Sequence, residues 1–297
     1  MNKLGSQKKS FAKPKRGEKG QKKSSEKGEK KPFFKQTDGS GKVKRVSFKK
    51  KSRSKQAPKR DDGLVRLNKF IANSGVCSRR EADTLIESGA VKVNGKIVTQ
   101  LGTRIDPNDK VSVGDESLAG EKLVYLLLNK PKNYITTSKD PRNRRTVMHL
   151  VGDACKERIY PVGRLDRNTT GLLLFTNDGD LANKLMHPRK NVQKLYHATL
   201  DKKVKAGDLK QLVEGLKLED GFATADEAAY VGPKKDQVGV MMHMGKNRIV
   251  RRMFEHMGYK VTKLDRVMFA GLTKKDIPRG KFRFLKEKEV NFLKMGI

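Results

Sequence analysis

Hydrophobic residues repeat with helical spacing in two short segments near residue 70. Residues 66–74 carry one apolar face and are followed by Gly75, a residue that commonly ends helices. Ser78 and Glu81 have the spacing of a capping box, which predicts that a second helix starts at this point. The apolar positions of the two predicted helices are Leu67, Phe70 and Ile71, followed by Ala82, Leu85 and Ile86.

A β-hairpin is predicted directly after the second helix. Residues 91–93 and 96–98 are rich in Val and Ile, and they flank Asn94-Gly95, a strong signal for a two-residue hairpin turn. Two helices and a hairpin of this size predict a small α/β domain, which we place at residues 61–120.

The remaining residues, 121–297, show patterns typical of an α+β domain dominated by strands. Strands are predicted at 123–128, 171–176, 194–200, 238–244, 261–269 and 281–285. Helices are predicted at 180–186, 206–216 and 247–257. The last helix has an apolar stripe at Ile249, Val250, Met253, Phe254 and Met257, with Arg248, Arg251 and Arg252 largely off it.

The first 60 residues have few large apolar side chains and a strong excess of positive charge. They contain 23 Lys and Arg against 4 Asp and Glu. Such a segment cannot bury enough apolar surface to offset the entropy of ordering, so we predict a disordered basic tail at residues 1–60. The alternative is a solubilising tail without a specific target.

Positive charge extends beyond the tail. The whole chain has 68 Lys and Arg against 33 Asp and Glu, a net charge of +35, and residues 61–297 remain basic without the tail. A charge of this size and sign predicts a polyanionic partner, because each neutralised phosphate releases condensed counterions.

Several classes of protein are disfavoured by the composition. The two cysteines, Cys77 and Cys155, offer neither a disulfide framework nor the spacing of a zinc site. The longest apolar run, Leu123–Leu128, is far too short to span a membrane, and no apolar segment follows the basic N-terminus. We therefore expect a cytoplasmic protein without membrane association, and we expect a monomer.

The segment from Tyr160 to Gly171 is the most unusual part of the second domain. Asp166 lies between Arg164 and Arg167 in a loop rich in Gly and Thr, just before an apolar strand. Polar loops held by a rigid strand often carry catalytic groups, and flanking arginines favour an ionised carboxylate, which suits a nucleophile or a base. From composition alone, a structural Arg–Asp clamp is equally consistent.

Residues 64–113 resemble the S-four RNA-binding domain, named after a ribosomal protein. The resemblance rests on residues 66–71, on Ser78-Arg79-Arg80-Glu81-Ala82 and on Val93-Asn94-Gly95. It implies that the two helices present a basic face to structured RNA, with contacts from Lys69, Arg79 and Arg80. We expect this face to be separate from the Asp166 segment. Because such domains occur in proteins of several functions, the resemblance alone implies only RNA binding.

The Asp166 segment resembles the active-site motif of pseudouridine synthases. Gly163-Arg164-Leu165-Asp166 and the following Thr170-Gly171-Leu172-Leu173 carry this resemblance, and residues 175–179 and 186–188 are similar to the RsuA-like branch, which acts on ribosomal RNA. That branch joins an S-four domain to a mostly antiparallel catalytic domain in the same order. The family usually has glutamine where this chain has Ile249. The resemblance implies that Asp166 is the catalytic aspartate, that Tyr196 stacks on the target base and that Arg251 pairs with the aspartate.

These observations predict an enzyme that isomerises a uridine in ribosomal RNA or in a pre-ribosomal particle. Arg164, Arg248 and Arg252 are further candidate RNA contacts, and residues 129–141 weakly favour large-subunit RNA. We expect no cofactor and no metal. One alternative is a non-catalytic RNA chaperone or ribosome-assembly factor. A nuclease is a third hypothesis, but it needs paired carboxylates around a metal, and Asp178 with Asp180 fits a turn and helix start better.

Overall fold

The computed structural model describes residues 63–296. The predicted basic tail at residues 1–60 lies outside the described residues, and the domain boundaries near residues 60 and 120 stay predictions. Among the helices of residues 63–296, none is long and apolar enough to cross a membrane.

The first part of the fold contains two helices and short antiparallel strands. Its elements are β1 (Val65–Arg66), α1 (Leu67–Asn73), α2 (Arg79–Glu87), β2 (Val91–Val93), β3 (Lys96–Ile97), β4 (Arg104–Ile105), β5 (Val111–Val113) and β6 (Glu116–Ser117). The strands pair as β1–β4 and in the order β3-β2-β5-β6. The core consists of Leu67, Ile71, Ala82, Ile86, Val91, Ile105 and Val111, so the predicted apolar stripes meet each other and the sheet.

Local signals in this part act as predicted. Ser78 Oγ accepts a hydrogen bond from Glu81 N at 3.3 Å, and Ser78 N donates to Glu81 Oε2 at 2.8 Å, so the capping box is complete. Asn94 and Gly95 both have positive φ, at 50° and 80°, as the tight turn of the β2–β3 hairpin requires.

The second part of the fold is built on a nine-stranded sheet. Its elements are β7 (Tyr125–Lys130), α3 (Met148–Val151), β8 (Tyr160–Pro161), β9 (Thr169–Thr176), α4 (Gly179–Met186), β10 (Lys194–Leu200), α5 (Ala206–Glu214), β11 (Leu216–Leu218), β12 (Gly221–Ala223), β13 (Glu227–Tyr230), β14 (Gln237–Met242), α6 (Ile249–His256), β15 (Val261–Phe269), β16 (Leu272–Thr273), β17 (Phe282–Phe284) and α7 (Glu287–Met295).

The sheet has the order β13-β14-β10-β15-β9-β7-β17, with β16 paired to β15 and β8 paired to β9. Of the strand pairs in residues 63–296, only β9–β15 is parallel, so the predicted α+β class with a mostly antiparallel sheet is confirmed. The short elements α3, β8, β11, β12, β13 and β16, and the terminal helix α7, were not predicted. Most of these are too short to show a repeating pattern, and α7 buries only Leu293.

One prediction for helix α6 is wrong. Arg251 does not fall off the buried stripe but is itself buried, with 7% of its surface exposed. The guanidinium lies under the chain that leads into β9, and Nη1 donates to the carbonyl oxygen of Val261 at 3.0 Å. Because the surrounding backbone offers acceptors, a charged side chain is tolerated on the inner face of this helix.

Candidate active site

A cavity of about 1080 Å³ lies between the first two helices and the large sheet. Its lining includes Asp166, Tyr196 and Arg248 from the second part of the fold, and Lys69 and Arg79 from α1 and α2. The expectation that the basic helix face is separate from the Asp166 segment is therefore wrong, because both line one cavity.

Asp166 lies in the loop of residues 162–168 that connects β8 to β9, and its side chain is 33% exposed. Its Oδ2 accepts a hydrogen bond from Thr169 Oγ1 at 3.4 Å. Arg248 Nη1 and Arg251 Nε each lie 3.9 Å from the same oxygen, which is too far for a hydrogen bond. The two cations stabilise the negative charge without occupying the carboxylate, so a ligand in the cavity can reach it.

The loop around Asp166 is held by buried donors. Lys130, at the end of β7, is fully buried and donates to the carbonyl oxygens of Asp166 at 3.1 Å and Thr169 at 2.8 Å. Thr136 Oγ1 donates to Leu165 O at 2.9 Å and accepts from Leu165 N at 3.2 Å. Burial lowers the pKa of Lys130 to about 8, although Asp166 opposes this shift. The backbone at Asp166 is thus fixed on both sides while its carboxylate stays accessible.

Arg251 approaches Asp166 from inside the protein. Its Nη1 bonds to Val261 O, its Nη2 donates to Asn168 O at 3.5 Å, and its Nε has no hydrogen-bond partner among the described residues. Burial, followed by the charge of Arg248, lowers the pKa of Arg251, and Asp166 raises it. Ile249, two residues earlier on the same helix, is also buried.

Tyr196 is half-buried on β10, and its ring lines the cavity together with Asp166. The ring packs against the apolar clusters on either side, which contain Leu165 and Leu264. Its hydroxyl makes no hydrogen bond to any residue of the described range 63–296. The exposed part of this side chain is therefore an aromatic surface with a fixed position, which suits stacking.

The remaining predicted RNA contacts divide into two groups. Arg164 and Arg248 are exposed and line the cavity, as do Lys69 and Arg79. Arg80 is exposed on α2 but does not line the cavity. Arg252, whose Nη1 is paired with Asp220 Oδ1 at 2.9 Å, does not line it either.

The two acidic residues considered for a nuclease have structural partners. Asp178 Oδ1 caps α4 by accepting from Leu181 N at 2.9 Å, as predicted for a helix start. Asp180 Oδ1 accepts from Lys69 Nζ at 2.7 Å, so one predicted RNA contact is neutralised by a carboxylate of the second part of the fold. Across residues 63–296, no three His, Cys, Asp or Glu side chains lie close enough together to hold a metal ion.

Three cations near the site were not singled out from the sequence: Lys130, Lys194 and Arg266. Each lies in a strand, and the sequence around each contains a feature that could have pointed to it. Lys194 is two residues before Tyr196 and Arg266 is two residues after Leu264, so strand alternation places each on the same face as a cavity residue. Lys130 follows a run of buried apolar residues in β7.

The close approach of two strands explains why position 171, in β9, is a glycine. Gly171 has a φ of 105°, and a Cβ at this position would lie 2.2 Å from the carbonyl oxygen of Arg266 on the parallel strand β15. Only glycine allows β9 and β15 to approach this closely, and their pairing places the loop of residues 162–168 above Arg251.

An accessible carboxylate, an aromatic ring and several cations in one cavity are typical of an enzyme that acts on a nucleotide within a nucleic acid strand. Comparisons with known proteins agree. The family model for RNA pseudouridylate synthases matches residues 124–256, and the model for the S4 (S-four) domain matches residues 65–111.

Similar proteins cover most of this chain. The ribosomal large subunit pseudouridine synthase B of Bacillus subtilis is 42% identical over 235 residues, which are 78% of this chain and 96% of that protein. An uncharacterised RNA pseudouridine synthase of Aquifex aeolicus is 40% identical over 231 residues, 76% of this chain and 92% of that protein. A crystal structure of a pseudouridylate synthase superposes with a TM-score of 0.56 at 29% identity, covering 77% of this chain and 99% of that one. The chain belongs to the RNA pseudouridine synthase family and carries an S-four domain.

Proposed function

We propose that this protein converts a specific uridine of ribosomal RNA to pseudouridine, that the RNA is that of the large subunit, and that Asp166 is the catalytic carboxylate. Relatives named as large-subunit pseudouridine synthases support the substrate. The observation that carries the role of Asp166 is geometric. Its carboxylate faces the cavity beside two cations, neither of which is close enough to form a hydrogen bond with it.

The reaction breaks the bond between uracil and the ribose and forms a carbon–carbon bond to the same sugar carbon, without net redox change. A single ionised carboxylate serves either as nucleophile toward the sugar or as base for a sugar proton. Arg251 and Arg248 stabilise the charge on Asp166 between turnovers, and Lys130 keeps the loop from moving. The residues present therefore meet the requirements of the chemistry.

The target uridine has to leave its stack before it reaches Asp166, which costs a few kcal/mol. Tyr196 offers a preformed stacking surface in the same cavity, and stacking on an aromatic ring offsets part of that cost. The flanking RNA strand carries phosphates, and exposed cations on the cavity wall, Arg79, Arg164 and Arg248, attract them. Helices α1 and α2 thus contribute to the same RNA track as the large sheet.

We further propose a pre-ribosomal particle or free ribosomal RNA as the partner, a cytoplasmic location and a monomeric state. A non-catalytic RNA chaperone has no need for a carboxylate that faces a phosphate-attracting cavity, and no feature of the described residues favours that alternative.

The test combines mapping with one substitution. Pseudouridines in ribosomal RNA are mapped in a strain without this protein, and one large-subunit position is expected to be unmodified. The wild-type gene should restore it, and the Asp166→Asn gene should not. In vitro, tritium release from RNA labelled at carbon five of uridine should fall by at least ~10²–10⁴-fold in Asp166→Asn, as expected for the loss of an acid–base group.

Among the described residues, the carboxylate accepts one long hydrogen bond, so Asp166→Asn should melt close to the wild-type temperature, and its RNA affinity should hold or rise slightly. Asp153→Asn, which removes an exposed charge away from the cavity, is the matched control and should remain active. Substantial turnover by folded Asp166→Asn would disprove the assignment, and a small-subunit target would correct the substrate.

A further inference from the structure

Two cations inside the cavity have no role in the proposed chemistry. Lys194 lies on β10 and Arg266 on the adjacent strand β15, where Arg266 is paired with Tyr196. Both side chains line the cavity on the strand face that carries Tyr196. Burying a charged side chain on the inner face of a sheet costs free energy unless hydrogen bonds or an opposite charge compensate.

Lys194 has a hydrogen-bond donor to spare. Its ammonium group donates to Val192 O at 3.0 Å and to His243 O at 2.6 Å. An ammonium group has three donors, and within residues 63–296 no third acceptor is present. The two carbonyl oxygens fix Nζ at the cavity wall, so the third N–H remains for a ligand.

Arg266 is more deeply buried and incompletely paired. Only 3% of its surface is exposed, its Nε donates to Leu172 O at 2.8 Å, and its guanidinium lies 4.7 Å from the centre of the Phe269 ring. Nη2 has no partner among the described residues. The neighbouring Asp265 does not neutralise it, because that carboxylate points to the other face of the sheet and bonds to Arg279, Lys274 and Thr170.

The two cations act on the same end of the cavity. The carboxylate of Asp226 acts on Lys194 through its charge, and its Oδ1 is hydrogen-bonded to His243 Nδ1 at 2.6 Å. Two positive charges that lie close together and are partly desolvated attract an anion to the side of the cavity that faces solvent.

We propose that Lys194 and Arg266 form a phosphate subsite for the RNA strand that carries the target uridine, with Lys194 in contact with the phosphate and Arg266 adding its charge from behind. This inference rests on the proposed function. Residues two apart on a strand are about 7 Å apart, so a base stacked on Tyr196 keeps a neighbouring phosphate within reach of Lys194.

A dependence on pH follows from this arrangement. Burial, followed by the charge of Arg266, lowers the pKa of Lys194 to about 8, and Asp226 opposes this shift. A bound phosphate favours the charged ammonium and raises the pKa again, so binding takes up a proton and RNA affinity falls as pH rises through about 8. His243 and Asp226 also face Lys194. Lys130 titrates near the same pH, so a variant at position 194 is needed to separate the two.

The experiment measures RNA affinity at several salt concentrations, in Asp166→Asn protein so that no turnover occurs. The probes are the large-subunit RNA fragment that wild-type protein modifies and a single-stranded oligouridine. In Lys194→Met, we expect about tenfold weaker binding and a salt dependence shallower by about 0.7–0.9, the loss of one phosphate contact. Lys194→Arg should keep the wild-type slope and show a weaker dependence of affinity on pH between 7.5 and 9.

Lys190→Met is the matched control, because Lys190 is exposed and lies outside the cavity lining. The proposal is overturned if Lys194→Met keeps the wild-type slope, which would assign Lys194 to an uncharged group of the base, or if Lys190→Met changes the slope equally. If Lys194→Met does not fold, identical pH profiles of wild type and Lys194→Arg overturn it. Failure of wild-type protein to modify ribosomal RNA would instead refute the proposed function, and oligouridine binding would still test the subsite.

Discussion

The cations on α1 and α2 differ from those on the large sheet in how they are placed and paired. Arg79 and Arg80 are exposed on a short helix, and Lys69 is paired with Asp180. Lys130 and Arg266 on the sheet, and Arg251 on α6 beside it, are almost completely buried, and among the described residues none of them has a carboxylate within hydrogen-bond distance.

This difference indicates two uses of positive charge in one protein. Exposed cations are solvated in the free protein, so they cost little and contribute mainly salt-dependent affinity. Buried cations are desolvated during folding, and their fields are strong because little water screens them. We therefore expect substitutions of the exposed cations on α1 and α2 to change binding, and substitutions of the buried cations Lys130 and Arg251 to change turnover or stability. Four predictions test this expectation.

The largest effect is expected at Arg251. Arg251→Met removes the buried charge next to Asp166, and turnover should fall about 10²–10³-fold, as when one preorganised electrostatic group is lost from an active site. Stability should fall modestly, because the carbonyl oxygens of Val261 and Asn168 lose a donor. Single-turnover rates and thermal melts measure the two quantities. Arg252→Met is the control, since Arg252 is adjacent but paired with Asp220, and wild-type turnover in Arg251→Met would contradict the prediction.

The next effect is expected at Lys130. Lys130→Met leaves the carbonyl oxygens of Asp166 and Thr169 without their buried donor, which should lower the free energy of unfolding by about 1–3 kcal/mol. The loop of residues 162–168 should lose its fixed position, and a shift of an ångström can reduce turnover by about 10²-fold. Lys132→Met removes a nearby exposed charge and should do neither. Denaturant unfolding and turnover at saturating RNA provide the readouts, and an unchanged unfolding midpoint would show that Lys130 is not an anchor.

A smaller effect, confined to binding, is expected at Tyr196. Tyr196→Ala should weaken RNA binding by about 1–3 kcal/mol, the usual contribution of stacking between a base and an aromatic ring. Tyr196→Phe keeps the ring, and the hydroxyl bonds to nothing in residues 63–296, so this variant should bind nearly as well as wild type. Fluorescence titrations in Asp166→Asn protein avoid turnover during the measurement. Equal affinities of the Phe and Ala variants would leave no support for stacking.

The smallest effects are expected on α2. Arg79→Ala and Arg80→Ala together should raise KM more than they lower kcat, because both side chains are exposed and neither forms a hydrogen bond or ion pair with Asp166. Arg79 lines the cavity and Arg80 does not, so Arg79→Ala alone should account for most of the change. Steady-state kinetics of the two single variants measure this directly. A collapse of kcat without a change in KM would show that the first two helices take part in the chemistry.

Local structure was largely predictable from the sequence. The capping box at Ser78, the Asn94-Gly95 turn and the strand from Val261 to Phe269 depend on residues close together in the chain, so their patterns are visible without the fold. The predicted edges of other strands differ by one or two residues, as for β7, which starts at Tyr125 and not at Leu123.

The candidate site was only partly predictable. The sequence by itself, through family resemblance, selected Asp166, Tyr196 and Arg251. The structure places Asp166 and Tyr196 on the wall of one cavity and Arg251 beside Asp166 on the inner side, while their roles stay predictions. It gave no indication that Arg251 is buried or that α1 and α2 form a wall of the same cavity. Those facts depend on contacts between residues far apart in the chain, which local periodicity does not encode.

The parallel pairing of β9 with β15 shows most clearly why the arrangement of the site could not be predicted from local sequence. It brings Gly171 against the backbone of Arg266, 95 residues later, and positions the Asp166 loop above Arg251. The sequence determined which segments become strands and which residue types stand beside the loop. Only the tertiary structure decided that Lys130 holds this loop and that Lys194 and Arg266 line the same cavity as Asp166, because side chains from separate strands come together only after the strands have paired.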